Sequence, residues 1–238
     1  MLNYKTYKLT KYAILASFAL FYFIMTILIS TKTFVPKTDN LTTSILIQVA
    51  GVILSILPLL VEYIFKIKFS IISIVIYSLF CFSSMGLGSG LGFYNIFSKY
   101  DLIVHFFSGV IVFFLFYTVF SKAINKELNL KQHLLITFLF TICFTVFVGV
   151  LWEVWEFTTD HFFNLNSQRH SLLDGTPLLG HNAVINTMLD LIADGLGGIV
   201  CGIIITIYFC IKKKHPSNLL TSPYKIADNS NVSNTKTN

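Results

Sequence analysis

Six long apolar runs, separated by short polar stretches, dominate the chain: Tyr12–Ser30, Ile45–Phe65, Phe69–Leu91, Leu102–Phe120, Leu134–Phe157 and Val184–Ile211. Each is close to or above the roughly 20 helical residues that cross a bilayer's hydrocarbon core. None alternates apolar with polar positions, as the strands of a membrane barrel do, so the runs predict helices. The expected fold is an all-α, polytopic transmembrane bundle of about six spans. Residues 1–98 form an N-terminal three-helix segment and 99–211 a second three-helix segment. Residues 212–238, rich in Asn, Ser and Thr, read as a disordered cytoplasmic tail.

Composition strengthens this picture. The 238 residues are 55% hydrophobic and 12% charged, about half the charge of an ordinary soluble domain. The net charge of +6 does not point to nucleic acid, because the basic residues flank the spans and form no recognition patch. Their distribution is topological instead. With the N-terminus inside, 13 of the 17 Lys and Arg residues fall on the cytoplasmic side, leaving Lys32, Lys37, Lys99 and Arg169 outside. The positive-inside rule therefore predicts both termini in the cytoplasm, in what reads as a bacterial cell membrane. The first run is read as a retained anchor, since no small-x-small cleavage site follows it. Lys212, Lys213 and Lys214 are a stop-transfer flank, and the Asn40-Leu-Thr42 sequon matters only in a glycosylating host. Cys81, Cys143, Cys201 and Cys210 lie in apolar stretches without a CxxC pair, so they are packing residues.

The first three spans look chemically plain, with Gln48 in the second and Glu62 expected to face the interface near its inner end. Gly86, Gly88, Gly90 and Gly92 close the third span; helix packing or an unwound helix end outweighs anion binding there, because no Walker ending follows.

The last three spans differ. Asp101 and His105 share a face of the fourth. Glu153, Glu156 and Asp160 fall on one stripe of the fifth, and Asn186, Asp190 and Asp194 on one stripe of the sixth. Under the predicted topology all three stripes lie in the outer half of the membrane. Buried carboxylates must share protons, bind a cation or line water. His105 is the base expected within the spans. The candidate metal ligands are Asp101, His105, Glu153, Asp160, Asp190 and Asp194, for a divalent ion such as Zn²⁺ or Mn²⁺. The candidate catalytic residues are Glu153, Glu156 and His105. The simpler readings are that Asp101 caps a helix, Glu156 and Asp160 are solvated, and Trp152 and Trp155 form an aromatic belt. The loop after the fifth span adds His161, Arg169, His170, Asp174, His181 and Asn182. Gly195, Gly197 and Gly198 suit a close helix crossing.

The motif Tyr100-Asp101-x-x-x-His105-Phe-x-x-Gly109, with Trp152-Glu153-x-x-Glu156-Phe-x-x-Asp160 and Asn186-Thr-Met-x-Asp190-Leu-x-x-Asp194-x-x-Gly197, resembles the YjdF-like bacterial inner-membrane proteins. It is more distantly similar to VanZ-like membrane proteins. The resemblance covers roughly Tyr100 to Gly202. It implies a small polytopic membrane protein with a motif-bearing half, and by analogy a link to envelope or glycopeptide stress. It supplies no activity. Where the family pattern has Asp-Thr, this chain has Asn186-Thr187, a neutral group in place of an anion.

Three classes of function follow. The first is an intramembrane enzyme in which a metal or a carboxylate–His pair activates water on a lipid or lipid-linked envelope substrate. The second is a non-enzymatic transporter or resistance factor coupled to protons or cations, favoured by a broken helix near Gly195–Gly198. The third is a structural role, in which the acids only hold the spans together.

Overall fold

The computed structural model describes residues 4–36, 41–66, 68–97, 99–124, 127–172 and 174–213. The expected tail beyond Lys213 and the Asn40 sequon lie outside them. The chain runs as α1 (Tyr4–Ser30), α2 (Leu41–Phe65), α3 (Ile71–Cys81) continued by a π-helix (Phe82–Gly90), the short α4 (Phe93–Ile96), α5 (Tyr100–Ala123), α6 (Leu130–Phe163) and α7 (His181–Lys212). Among the described residues, six helices are long and apolar enough to cross a membrane, α3 and the π-helix together counting as one. Among the described residues there is no strand; Ser171 and Pro177 form an isolated bridge. Large apolar side chains such as Ile53, Phe147 and Ile204 are exposed around the bundle, as suits helices solvated by lipid. The described cysteines are all free.

Local chemistry sets the ends and irregularities. Ser70 accepts from the Ser73 N–H at the start of α3, and Asn129 from the Gln132 N–H at the start of α6. Asn164, in the left-handed region at φ 51°, ends α6. Pro58 lies inside α2 and lacks the N–H that would bond the Leu54 carbonyl. Tyr77 of α3 donates to that carbonyl at 2.8 Å, so the break is repaired by a neighbouring helix. The π-helix covers the glycine run, and Gln48 of α2 donates to the Met85 carbonyl within it at 2.7 Å. Gly92, at φ 79°, then turns the chain into α4. The glycine run thus serves as an irregular helix end.

The first trio is less plain than its sequence. Glu62 does not face the interface. Its carboxylate pairs with Lys11 of α1 at 2.5 Å, and the two residues are 4% and 2% exposed. Lys68 stands 3.6 Å from the same oxygen, and the Phe69 N–H donates to the other at 2.8 Å. A carboxylate near a helix end looks solvated in sequence. Here α1 starts at Tyr4, two turns before the expected span, and brings Lys11 into the bundle.

The second trio is held by glycine. A Cβ on Gly109 of α5 would overlap the Asp194 carbonyl, and one on Gly197 of α7 would overlap the Phe106 carbonyl. The backbones of α5 and α7 therefore touch. Below this crossing, Phe113, Tyr117, Leu134, Cys201, Ile205 and Phe209 form an apolar core. We expect Gly197→Ala and Gly109→Ala each to cost about 1–3 kcal/mol, since backbone cannot yield as a side chain can. Thermal unfolding in detergent measures this. Gly195→Ala is the control, because a Cβ there meets nothing closer than 3.9 Å.

Candidate functional site

The buried face of α6 is polar along its length. His133, Thr137, Thr141, Thr145, Gly149 and Glu153 recur every four residues and are all buried. Each of the three threonines donates to the carbonyl four residues earlier, at 2.6–2.8 Å. This satisfies the hydroxyls and makes a narrow face against which α5 and α7 fit. His133, with Nε2 3.0 Å from the Ser121 carbonyl oxygen, is a second imidazole inside a span. His105 was the only one expected there, because the apolar run begins at Leu134. The missed signal was the four-residue threonine period.

At the Glu153 end of this face three helices converge. His105 of α5, Glu153 of α6 and Asp190 of α7 each bring one ligand-type atom within 4.8 Å of the others, and all three are buried. Asp194 lies beside them rather than among them. Its Oδ2 is 3.1 Å from His105 Nδ1, and its Oδ1 accepts from the Ser108 hydroxyl. Gly149 makes room for it, since a Cβ there would sit 2.7 Å from Asp194 Oδ2. Nδ1 is engaged by Asp194, and Nε2 is the imidazole nitrogen that remains for a further contact. Gln168 reaches from the loop to Thr187 Oγ1 at 3.0 Å and more weakly to Glu153 Oε2 at 3.4 Å. Asn186 donates to Asp190 Oδ2 at 2.7 Å. The other oxygens, Glu153 Oε1 and Asp190 Oδ1, are buried with no hydrogen-bond partner.

The remaining expected residues are placed apart from this cluster. Asp101 Oδ1 is 3.9 Å from His105 Nε2, while its Oδ2 is 3.5 Å from Arg169 Nε. A loop arginine thus stands as the counter-charge of Asp101. Glu156 accepts from Trp152 Nε1 at 2.9 Å and faces a neighbouring cavity. Asp160 anchors the loop after α6, accepting the Ser167 and Gln168 backbone N–H groups at 2.8 and 3.0 Å. With both its oxygens used on backbone, Asp160 is a loop anchor outside the ligand group. His170 lies 3.5 Å from it at the surface. Asp174 accepts from the Thr176 N–H, which holds its exposed carboxyl below the ordinary range. His161 is exposed and stacks on Phe157, and His181 and Asn182 open α7 on the exposed surface.

The cavity lies between the two trios and has a volume of about 730 Å³. Its walls come from α2, α3, the π-helix, α5 and α6, with Arg169 and other loop residues at one end. His105 and Asp194 line it, so the imidazole stands between the cavity and the buried cluster. Tyr94, whose hydroxyl lies 3.0 Å from Ser84 Oγ, closes part of this end. Burial holds its phenol well above the usual range, so it is neutral.

A 112-residue stretch is 34% identical to an uncharacterised protein of Thermotoga maritima, covering 47% of this chain and 50% of that protein. The chain thus spans about half the length of the curated relative it matches. No solved structure matches the chain. The family described as predicted membrane protein (DUF2238) matches residues 14–211, which include all six spans in large part and every residue of the His105–Glu153–Asp190 cluster. With its helices, its lipid-facing surface and that match in place, the chain belongs to the DUF2238 family of multi-pass membrane proteins.

Proposed function

We propose that the motif-bearing half holds one divalent metal ion on His105, Glu153 and Asp190 and uses it on a lipid or lipid-linked substrate. One observation carries the reading. Three buried ligand atoms from three helices gather within 4.8 Å, while Glu153 Oε1 and Asp190 Oδ1 have no hydrogen-bond partner. Orphaned carboxylate oxygens in a low-dielectric interior are costly, and a cation is the partner that removes the cost. At the usual 2.0–2.2 Å bond lengths and tetrahedral angles, two ligands on one Zn²⁺ stand about 3.3–3.6 Å apart, so a pair at the 4.8 Å limit closes by somewhat more than an ångström on binding. One imidazole with two carboxylates suits either ion. An ion so held polarises a phosphoryl or carbonyl oxygen, or lowers the pKa of water.

The neighbours support the reading. Asp194 on His105 Nδ1, itself held by Ser108, is the carboxylate–imidazole arrangement that orients a metal-bound histidine. Asp194→Asn and Ser108→Ala are therefore expected to weaken metal affinity by about 10–100-fold without abolishing it. Calorimetric titration checks this; an affinity equal to wild type in both variants contradicts the orienting role.

The basic flanks support N-in, C-in topology, which puts this site toward the outer face of the cytoplasmic membrane. The similarity to YjdF-like and VanZ-like proteins supports an envelope role by analogy. The transporter alternative has less in its favour, because α7 runs unbroken through Gly195–Gly198 and offers no unwound ion site. The direct test is elemental analysis of purified protein, followed by titration of the chelated protein with Zn²⁺ and Mn²⁺. One equivalent per chain is expected, and no binding of either ion sinks the proposal.

A further inference from the structure

The cavity between the trios carries information about the ligand that the metal cluster does not. Along α2 its wall extends from Thr43 to Leu57, a distance of roughly 21 Å along a helix axis. At the far end the lining is apolar, with Leu54, Leu57, Phe80, Val112 and Val148. At the loop end it is polar and charged, with Arg169, Asp101, Glu156, Trp152 and Trp155. The cavity is therefore long and amphipathic, as a lipid is.

Among the described residues, α6 does not pack against α2 or α3, although all three line the cavity. A lipid chain entering from the membrane would pass on this side, between α2 and α6.

The charged end specifies the head group. Arg169 uses Nε toward Asp101 at 3.5 Å and Nη2 toward the Tyr94 carbonyl at 3.2 Å. A guanidinium has five N–H donors in a planar fork that matches a phosphate, so donors remain after those two contacts. The loop holds Arg169 in the left-handed region at φ 50°, an uncommon place for a non-glycine residue. Glu156 is the complement. Its hydrogen bond comes from the Trp152 indole, and among the described residues no basic side chain lies within ion-pair distance of it. The Trp152 and Trp155 rings, 5.1 Å apart, flank the same end. A carboxylate beside two indole rings suits an ammonium group.

We propose that this cavity binds a zwitterionic phospholipid, a phosphate ester bearing an amine, with the phosphate on Arg169, the amine on Glu156 and an acyl chain between α2 and α6. This deepens the lipid-substrate reading and rests on it for any catalytic role, but the binding itself needs no metal. A purely anionic head group leaves Glu156 without a counter-charge and adds a negative charge near Asp101 and Asp194.

The test is native mass spectrometry of the purified full chain, titrated with phosphatidylethanolamine or phosphatidylglycerol of identical acyl chains. Wild type is expected to retain phosphatidylethanolamine about tenfold better, the worth of one charge-assisted hydrogen bond. Glu156→Gln is expected to erase that preference. Arg169→Gln is expected to weaken retention of both lipids, and Arg169→Lys to restore part of it. Equal retention of the two lipids by wild type, or an undiminished preference in Glu156→Gln, overturns the proposal. Soluble phosphoethanolamine serves as the head group alone and is expected not to displace the lipid; displacement would mean a head-group site without the acyl channel and would also overturn it. The titration is repeated in Glu153→Gln. Lipid preference that persists without metal supports this site whatever becomes of the metal reading. Loss of preference there would show that the head group depends on the cluster, against the present assignment.

Discussion

Glu153→Gln and Asp190→Asn should each strip the divalent ion from the purified protein, lowering affinity by at least about 100-fold. That exceeds the ~10–100-fold usual for losing a partner outside the ligand set. The amide keeps shape and one oxygen but removes the negative charge, and in a buried site that charge is most of what holds the ion. The same change should not unfold the protein, because Glu153 Oε1 and Asp190 Oδ1 make no hydrogen bond that an amide would lose. Neutralising an unpaired buried carboxylate removes a cost, so the metal-free variants should melt at or slightly above the metal-free wild type. Asp160→Asn is the contrasting substitution. Its oxygens serve the Ser167 and Gln168 N–H groups, so it should weaken the loop while the helical cluster still takes one equivalent of metal. The measurements are elemental content, calorimetric titration and a melting curve with and without chelator. Wild-type metal affinity in Asp190→Asn would remove the basis for the site.

Glu62→Gln is expected to destabilise the first trio by about 3 kcal/mol, the low end of the range for removing one partner of a buried ion pair. The direction of the substitution matters. Without the Glu62 charge, Lys11 remains 2% exposed and, among the described residues, keeps the Tyr7 and Tyr12 rings 5.4 Å from its ammonium but no counter-charge. Without Lys11, Glu62 keeps Lys68 at 3.6 Å and the Phe69 N–H at 2.8 Å. Lys11→Met should therefore cost less, about 1–2 kcal/mol, and the double variant should recover part of the loss because no charge is left buried. Thermal unfolding of the four proteins gives the coupling directly. Equal destabilisation by the two single variants would mean that Lys68 does not stand in for Lys11. Metal content should be unchanged in all four, since the pair lies in the other trio.

How much of this was readable before folding depends on the physical scale of each feature. The six spans were legible because a bilayer requires a long uninterrupted apolar run, and that requirement is local in sequence. Their ends were less so. α6 begins at Leu130 and ends at Phe163, beyond the apolar run at both ends, because caps and loop contacts set termini and hydropathy does not. The stripes of Asp101 and His105, of Glu153, Glu156 and Asp160, and of Asn186, Asp190 and Asp194 were read from helical periodicity alone. Their depth within one half of the bundle followed from chain direction.

Other features had no local signature. That Glu62 pairs with Lys11, 51 residues away, depends on how α1 crosses α2. That Tyr77 repairs the carbonyl freed by Pro58 depends on how α3 lies beside α2. Arg169 neutralises Asp101 only because Asp160 folds the intervening loop back over the site.

What the sequence determined by itself was therefore the solvent, the number of spans and the list of acids and imidazoles with a shared helix face, since all of these are set within a few turns of one helix. Tertiary structure decided which members of that list meet. Gly109 and Gly197 let the backbones of α5 and α7 touch, which sets Asp194 on His105 Nδ1; Glu153 and Asp190 gather with the same imidazole, while Asp160 serves the loop and Glu156 the cavity. A hydrogen bond or a metal contact is decided by less than an ångström, whereas periodicity places a side chain only to within a helix face. The distance between helices supplies the difference, and here it is set by two residues with no side chain at all.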